Sequence, residues 1–267
     1  MSRPVHSAHT GSFWQEGPLA GSLPIQAHLT PDKAIANSIR RHALDRSASS
    51  VTQVAADLVG LHNTSQSSPF LSVRARLPEF QRGDLEEVMW ESWELARLRS
   101  MRLTMFIFPT GLLEIVAAAT RHLTQGLSER WMRDSGLSKA EFERLADAVD
   151  EALSDGPRTV RDLRAVLAVP TPVDLPGVVA RMCDAGRLVG GQPPRNWRSG
   201  VRQYHRWTDV LPDVDIQRWN PEAAVRELIA RYIRSYGPVS IDDISWWAGL
   251  TKQRCRVALH GLDVEDV

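Results

Sequence analysis

Cysteine is nearly absent. Cys183 and Cys255 are the only two in 267 residues, so no disulfide framework is implied and a reducing compartment is the default. Lysine is scarce too. Only Lys33, Lys139 and Lys252 contribute to 32 basic residues, so arginine carries the positive charge; it stays protonated and bonds bidentately to phosphate or guanine. No apolar run is long enough to cross a bilayer. The greasiest stretch, 101–119, is broken by Arg102, Pro109, Gly111 and Glu114, which argues against a membrane span. Positions 1–30 lack the apolar core of a signal peptide and read as a mobile leader. The expected location is therefore the cytoplasm.

Metal and nucleotide signatures are also missing. The eight histidines include no His-Glu-x-x-His pair, and Cys183 and Cys255 are too widely separated for a paired-cysteine motif. Gly190-Gly191 runs into Pro193-Pro194 through Gln192, not into a phosphate-binding Gly-Lys-Ser. No Gly-x-Ser-x-Gly elbow occurs. Both cysteines fall on predicted helices among apolar neighbours and read as packing residues. These absences predict no metal and no cofactor.

What is present is a globular composition, 43% hydrophobic and 24% charged, with 32 acids against 32 Lys plus Arg. The zero balance hides a strong pattern. Residues 181–206 hold six arginines and one acid; residues 141–155 hold six acids and one arginine. A module built from both would be polarised, and a basic face suits nucleic acid.

An internal repeat gives the architecture. Gly156-Pro157-Arg158-Thr159-Val160-Arg161-Asp162-Leu163 is matched by Gly237-Pro238-Val239-Ser240-Ile241-Asp242-Asp243-Ile244. Gly-Pro stops one helix, with glycine expected in the left-handed cap. Thr159 and Ser240 then cap the next helix, with Asp162 and Asp243 placed to return the bond. Around the first copy, Ser138 caps a helix carrying Phe142, Leu145, Val149 and Leu153. A further helix is expected over 175–185, then two short strands near 187–189 and 201–207, separated by a Gly-, Pro- and Arg-rich loop. Three helices followed by a hairpin is the winged-helix pattern. In the second copy Asn220 caps a helix with Pro221 at its first position and an apolar stripe of Val225, Leu228, Ile229 and Tyr232. Thr251 caps one more, over 252–260. Val267 then ends the chain before a wing, as in a truncated piece or natural fragment.

The N-terminal third is a looser version. Helices are expected at 31–43, 51–60, 69–77 and 83–90. A strand-rich segment follows at 95–109, and an apolar helix at 111–123. The expected fold is mainly α with small β-hairpins: tandem winged-helix modules at 31–130, 131–212 and, without its wing, 213–267.

One polar segment interrupts two apolar helices: His62-Asn63-Thr64-Ser65-Gln66-Ser67-Ser68-Pro69. From spacing it is a capped helix–helix loop. Its context, however, resembles the winged-helix DNA glycosylases of the AlkZ and YcaQ group. The resemblance rests on Leu58-Val59-Gly60-Leu61-His62-Asn63-Thr64 and on Ser68-Pro69-Phe70-Leu71-Ser72-Val73-Arg74-Ala75-Arg76-Leu77. It continues through Met101-Arg102-Leu103-Thr104, Trp207 to Pro212, Tyr236-Gly237-Pro238 and Trp246-Trp247-Ala248-Gly249-Leu250, spanning about 31–262. In that family a Gln-hydrophobic-Gln or Gln-hydrophobic-Asp motif follows Gly-Leu and is catalytic. Here His62, Asn63 and Thr64 stand at its three positions, and Leu103 replaces a usual glycine. The family ordinarily continues with a wing and a β-rich domain.

The resemblance implies a monofunctional glycosylase that hydrolyses the N-glycosidic bond of alkylated or bulky purines, interstrand crosslinks included. Its setting would be DNA repair or self-resistance to a genotoxic natural product. The partner would be double-stranded DNA, the chain a monomer, and no cofactor would be needed. An imidazole can take a proton near neutral pH, so His62 would hold or activate water, with Asn63 or Thr64 assisting and Gln66 as a stand-in. Arg195, Arg198 and Arg202 of the hairpin would touch phosphates. Arg97 and Arg99, sharing a strand face with Arg102, would line a DNA channel or pair with Glu87 and Glu91. Lys252 and Arg254 open the last recognition-type helix. Trp197 is expected to pack on a neighbouring module, and Trp246-Trp247 to fill the third module's core. A non-catalytic winged-helix DNA-binding protein or damage binder is the alternative.

Overall fold

A computed structural model describes residues 30–264, so the expected leader lies outside the described residues but for Thr30. The first unit opens with α1 (Pro31–Arg41) and α2 (Val51–Asp57), then a two-residue strand, β1 (Leu61–His62). Helices α3 (Ser68–Arg74) and α4 (Arg82–Trp90) follow, then β2 (Leu95–Arg99) and β3 (Met105–Pro109). The strands form an antiparallel sheet in the order β1-β3-β2, with His62 opposite Phe106 and Arg97 opposite Ile107.

Helix α5 (Thr110–Asp134) leaves this sheet and runs 25 residues. It passes the expected stop at 123 because no proline intervenes and Gly126 is carried inside it; Gly136, at φ 72°, follows its end. The second unit is α6 (Lys139–Ala152), β4 (Arg158–Thr159), α7 (Val160–Val166), α8 (Leu175–Asp184), β5 (Leu188–Gly190) and β6 (Gln203–Arg206). Its sheet order, β4-β6-β5, reproduces that of the first unit. From α2 to β3 and from α6 to β6 the chain therefore runs helix, strand, helix, helix, strand, strand twice. Strand β4 was not expected: so short a strand carries no periodic signal. After α9 (Trp207–Val210) come α10 (Pro221–Tyr236), α11 (Ile241–Ala248) and α12 (Lys252–Leu259).

The caps follow the sequence logic. Ser138 with Glu141, Thr159 with Asp162, and Ser240 with Asp243 each form a reciprocal capping box, each worth about 1 kcal/mol. One detail differs. Gly156 is left-handed at φ 130°, but Gly237 has φ −59°. Glycine serves there for room, because an added Cβ would sit 2.6 Å from the Ile233 carbonyl oxygen.

Three cores hold the chain together. The first unit packs Val54, Ala55, Val73 and Leu85 over the inner face of its sheet. The second packs Val149, Leu163, Val178 and Met182. The central core joins β2 and β3 to α5 and α10, through Phe108, Leu113, Val116, Val225 and Ile229. Full burial of such side chains stabilises by roughly 1.5–3 kcal/mol each. The α10 stripe of Val225, Leu228, Ile229 and Tyr232 is buried throughout. Trp247 stacks on Tyr232 with ring centres 4.3 Å apart. Its neighbour Trp246 does not fill the core: it is 69% exposed. Adjacent residues on a helix diverge by about 100°, so only one of the two can face inward.

Candidate active site and nucleic-acid interface

The chain turns from α2 into β1 through a tight helix-ending turn. Gly60 N–H donates to the Ala55 carbonyl at 2.7 Å and Val59 N–H to Ala56 at 3.0 Å. Val59 sits at φ 51°, a left-handed conformation that costs a β-branched residue about 1–2 kcal/mol. Gly60, at φ 102°, is required for space as well: an added Cβ would lie 2.4 Å from the Phe108 ring. This turn fixes how β1 presents its side chains.

Along β1 and just beyond it the side chains alternate. Leu61 and Asn63 are buried, while His62 and Thr64 are exposed. His62 Nδ1 and Thr64 Oγ1 are 3.2 Å apart, and the imidazole lies edge-on to Phe106 at 4.9 Å. The structure thus brings the first and third candidate residues together. Asn63 is a correction. Only 5% exposed, it turns inward, its amide donating to the Ser65 carbonyl at 3.3 Å and its backbone N–H to Met105 at 2.8 Å. Gln66 is committed too, accepting a bond from Arg202.

His62 stands on the wall of an open cleft of about 310 Å³, lined also by His42, Arg76, Arg102, Tyr236 and Trp246. Burial, helped by the nearby Arg76 charge, lowers the His42 pKa, and its ring meets Tyr236 edge-on at 4.6 Å. The Tyr236 hydroxyl donates to the Leu58 carbonyl at 3.0 Å, and burial pushes its pKa up to about 12. Burial also lowers the Arg76 pKa. Among the described residues no aspartate or glutamate lines the cleft, and no cluster of three His, Cys, Asp or Glu could hold a metal ion.

Arg102 has left the strand face it was expected to share with Arg97 and Arg99. It lies in the 3₁₀ turn Met101–Leu103 between β2 and β3, at φ 54°, with Leu103 at φ 61°. The Thr104 hydroxyl closes the turn on the Met101 carbonyl at 2.9 Å. The Arg102 guanidinium carbon lies 3.9 Å above the centre of the Trp246 ring.

The basic residues expected on DNA divide into two groups. Arg97 and Arg99 face the second unit, not an open channel and not Glu87 or Glu91. Arg99 reaches Asp184 at 3.6 Å, and Arg97 lies against Gly190, where an added Cβ would be 3.6 Å from its Nη1. Arg202 is buried in the same seam, 7% exposed, and desolvation lowers its pKa to about 10. The flanking Val201 is 54% exposed, so at this point the hairpin turns its charged residue inward and its apolar one outward. Lys252 pairs with Asp242 at 2.5 Å and Arg254 with Glu222 at 3.2 Å. Arg195 and Arg198 are exposed. Trp197 between them packs on Phe70 of α3 at 4.6 Å, as expected for a contact between modules. Cys255 is buried and Cys183 half-buried; burial raises both thiols, Cys183 to about 12, so neither is a nucleophile in waiting.

Sequence reasoning missed His42, Arg76 and Arg102 as neighbours of His62. Only Trp246 carried a usable signal: it falls off the stripe of Ile241, Ile244 and Ala248, and so had to point outward.

The geometry can be set beside known proteins. The DNA glycosylase AlkZ-like family model matches residues 55–267. A solved structure of Streptomyces sahachiroi DNA glycosylase AlkZ superposes with a TM-score of 0.68 at 19% identity. The match covers 86% of this chain and 64% of that one, so the chain spans a little under two thirds of that protein's length. No curated protein matches the sequence.

Proposed function

The chain belongs to the AlkZ-like DNA glycosylase family, and on that premise we propose that it hydrolyses the N-glycosidic bond of an alkylated or bulky purine in double-stranded DNA. The observation that carries this is exposed His62 on the wall of an open cleft, with the exposed Thr64 hydroxyl 3.2 Å from its Nδ1. Alkylation at N7 or N3 makes the purine cationic and a good leaving group. The C1′–N bond breaks with its electron pair going to the base, and the sugar becomes oxocarbenium-like. A water oxygen then bonds to C1′ and releases a proton. With His62 Nδ1–H donating a hydrogen bond to Thr64 Oγ1, Nε2 is free to orient that water and take its proton. No lysine amine enters the step, which makes the enzyme monofunctional, and no cofactor is needed.

The order α2–β1–α3–α4–β2–β3, repeated as α6–β4–α7–α8–β5–β6, supports two winged-helix modules at 31–130 and 131–212. Helices α10 to α12 supply the third, over 213–267. Arg195 and Arg198 are the hairpin residues left to meet phosphate. Repair of bulky adducts or crosslinks, or self-resistance to the compound that makes them, is the role this chemistry suits, carried out by a cytoplasmic monomer at the nucleoid.

The test is incubation with duplexes bearing N7-alkylguanine or N3-alkyladenine, scored as abasic sites cleaved by alkali. His62→Ala should slow release by about 10²–10⁴-fold. Release at the parental rate would remove His62 from the mechanism. A second reading, a damage binder, is favoured by the lack of any carboxylate among the described residues that line the cleft. It predicts a mobility shift on the same duplexes with no abasic sites.

A further inference from the structure

We propose that Arg102, laid flat on Trp246, is a DNA-phosphate anchor in the cleft that holds His62. The proposal rests on the reading that the chain engages duplex DNA. Trp246 is the starting observation: the largest side-chain type stands 69% exposed on α11 while its neighbour Trp247 packs inward. What lies on its face is a guanidinium, 3.9 Å from the ring centre. Stacking occupies the face of the guanidinium and leaves its N–H groups, which lie in the plane, directed at the surroundings. That is the edge that binds phosphate bidentately.

Arg102 is exposed, and no carboxylate among the described residues forms an ion pair with it. Of the cations first expected on DNA, Arg99, Lys252 and Arg254 have acidic partners. Its backbone placement is costly and specific. Arg102 and Leu103 are both left-handed, and α11 ends on a left-handed Gly249 that brings the two elements together; an added Cβ there would lie 3.0 Å from the Arg102 backbone nitrogen. The turn and the helix are thus fitted so that the cation lands on the ring. Among the described residues the cleft they overlook is lined by Arg76 and Arg102 and by no acid, so its field attracts an anion. A duplex brought to His62 presents phosphates there.

The assay is binding of a short undamaged duplex by fluorescence anisotropy across a salt series, which is independent of catalysis. Arg102→Gln should make the log–log salt slope shallower by about one, because one phosphate contact is lost. Trp246→Ala should weaken binding about two- to fivefold with the slope unchanged, since the charge stays and only its placement is lost. Arg102→Lys should keep the slope and bind less tightly than the parent, because an ammonium cannot present the planar edge. Both side chains are exposed, so the parental melting temperature should be kept. A parental slope in Arg102→Gln overturns the anchor. Parental affinity in Trp246→Ala overturns the pairing. A parent chain that binds no duplex at any salt overturns the DNA reading beneath both.

Discussion

Removing Asp184 should destabilise the protein more than its position at the end of a helix suggests. Four guanidinium groups, from Arg97, Arg99, Arg181 and Arg202, meet in the seam between the first two units. Asp184 is the carboxylate that pairs with two of them, at 2.8 Å from Arg181 and 3.6 Å from Arg99. The side chains of Arg181 and Asp184 are 6% and 7% exposed. Burial raises the Asp184 pKa and lowers that of Arg181 despite their contact, so desolvation outweighs attraction on both sides. Such a pair adds little net stability, yet breaking it leaves a buried cation uncompensated, at about 3–5 kcal/mol. In a chain of this size, about 2–4 °C of melting temperature accompanies each kcal/mol. Asp184→Ala should therefore melt roughly 6–20 °C lower, by circular dichroism or differential scanning fluorimetry. Replacing Arg181 and Asp184 together by apolar residues should recover much of the loss. A loss below about 1 kcal/mol in Asp184→Ala would refute the argument, by showing that the seam is solvated.

Arg99, 24% exposed at its side chain, should cost only about 1 kcal/mol when changed to Gln. The same change should leave the salt slope of DNA binding as it was, which anisotropy measures. Stability should fall in acid: burial lowers the pKa of His42, His122 and His205, so the unfolded chain takes up their protons first. That contribution is full above about pH 6.5 and is lost as pH drops through the folded values; melting curves at neutral and mildly acidic pH should show it, with a smaller drop in His42→Phe. Gly60→Ala should destabilise by about 1–3 kcal/mol in urea unfolding, because the new methyl meets the Phe108 ring. Trp197→Ala loses the contact with Phe70, about 0.5–1.5 kcal/mol, and should speed tryptic cleavage after Arg195 and Arg198.

How far each feature could be foreseen depends on the range of the interaction that sets it. The capping boxes at Ser138, Thr159 and Ser240 were legible because both partners lie within one turn. The α10 stripe was legible because an amphipathic helix repeats its buried face every three to four positions. The outward His62 and Thr64 and the inward Asn63 were not legible, because a strand as short as Leu61–His62 carries no periodic signal and the segment read as a loop. The seam residues were illegible for a different reason. Arg202 looked like a surface charge on a basic loop, and nothing near it in sequence marks Gln66 as its partner. Arg102 was expected on the face of Arg97 and Arg99, but an offset of three from Arg99 already breaks the alternation, and the turn over Met101–Leu103 takes it out of the strand.

Sequence by itself therefore determined most of the helices, their caps, the repeated joint and the resemblance carried by the His62 segment, all set by contacts between near neighbours, while the two-residue strands β1 and β4 went unmarked. Only the tertiary structure decided which arginines are free. Desolvating a charge costs far more than exposing it, so packing gives each guanidinium either a partner in the seam, as Gln66 for Arg202, or an open edge, as for Arg102 on Trp246. Both choices join residues far apart along the chain, and no local pattern records them.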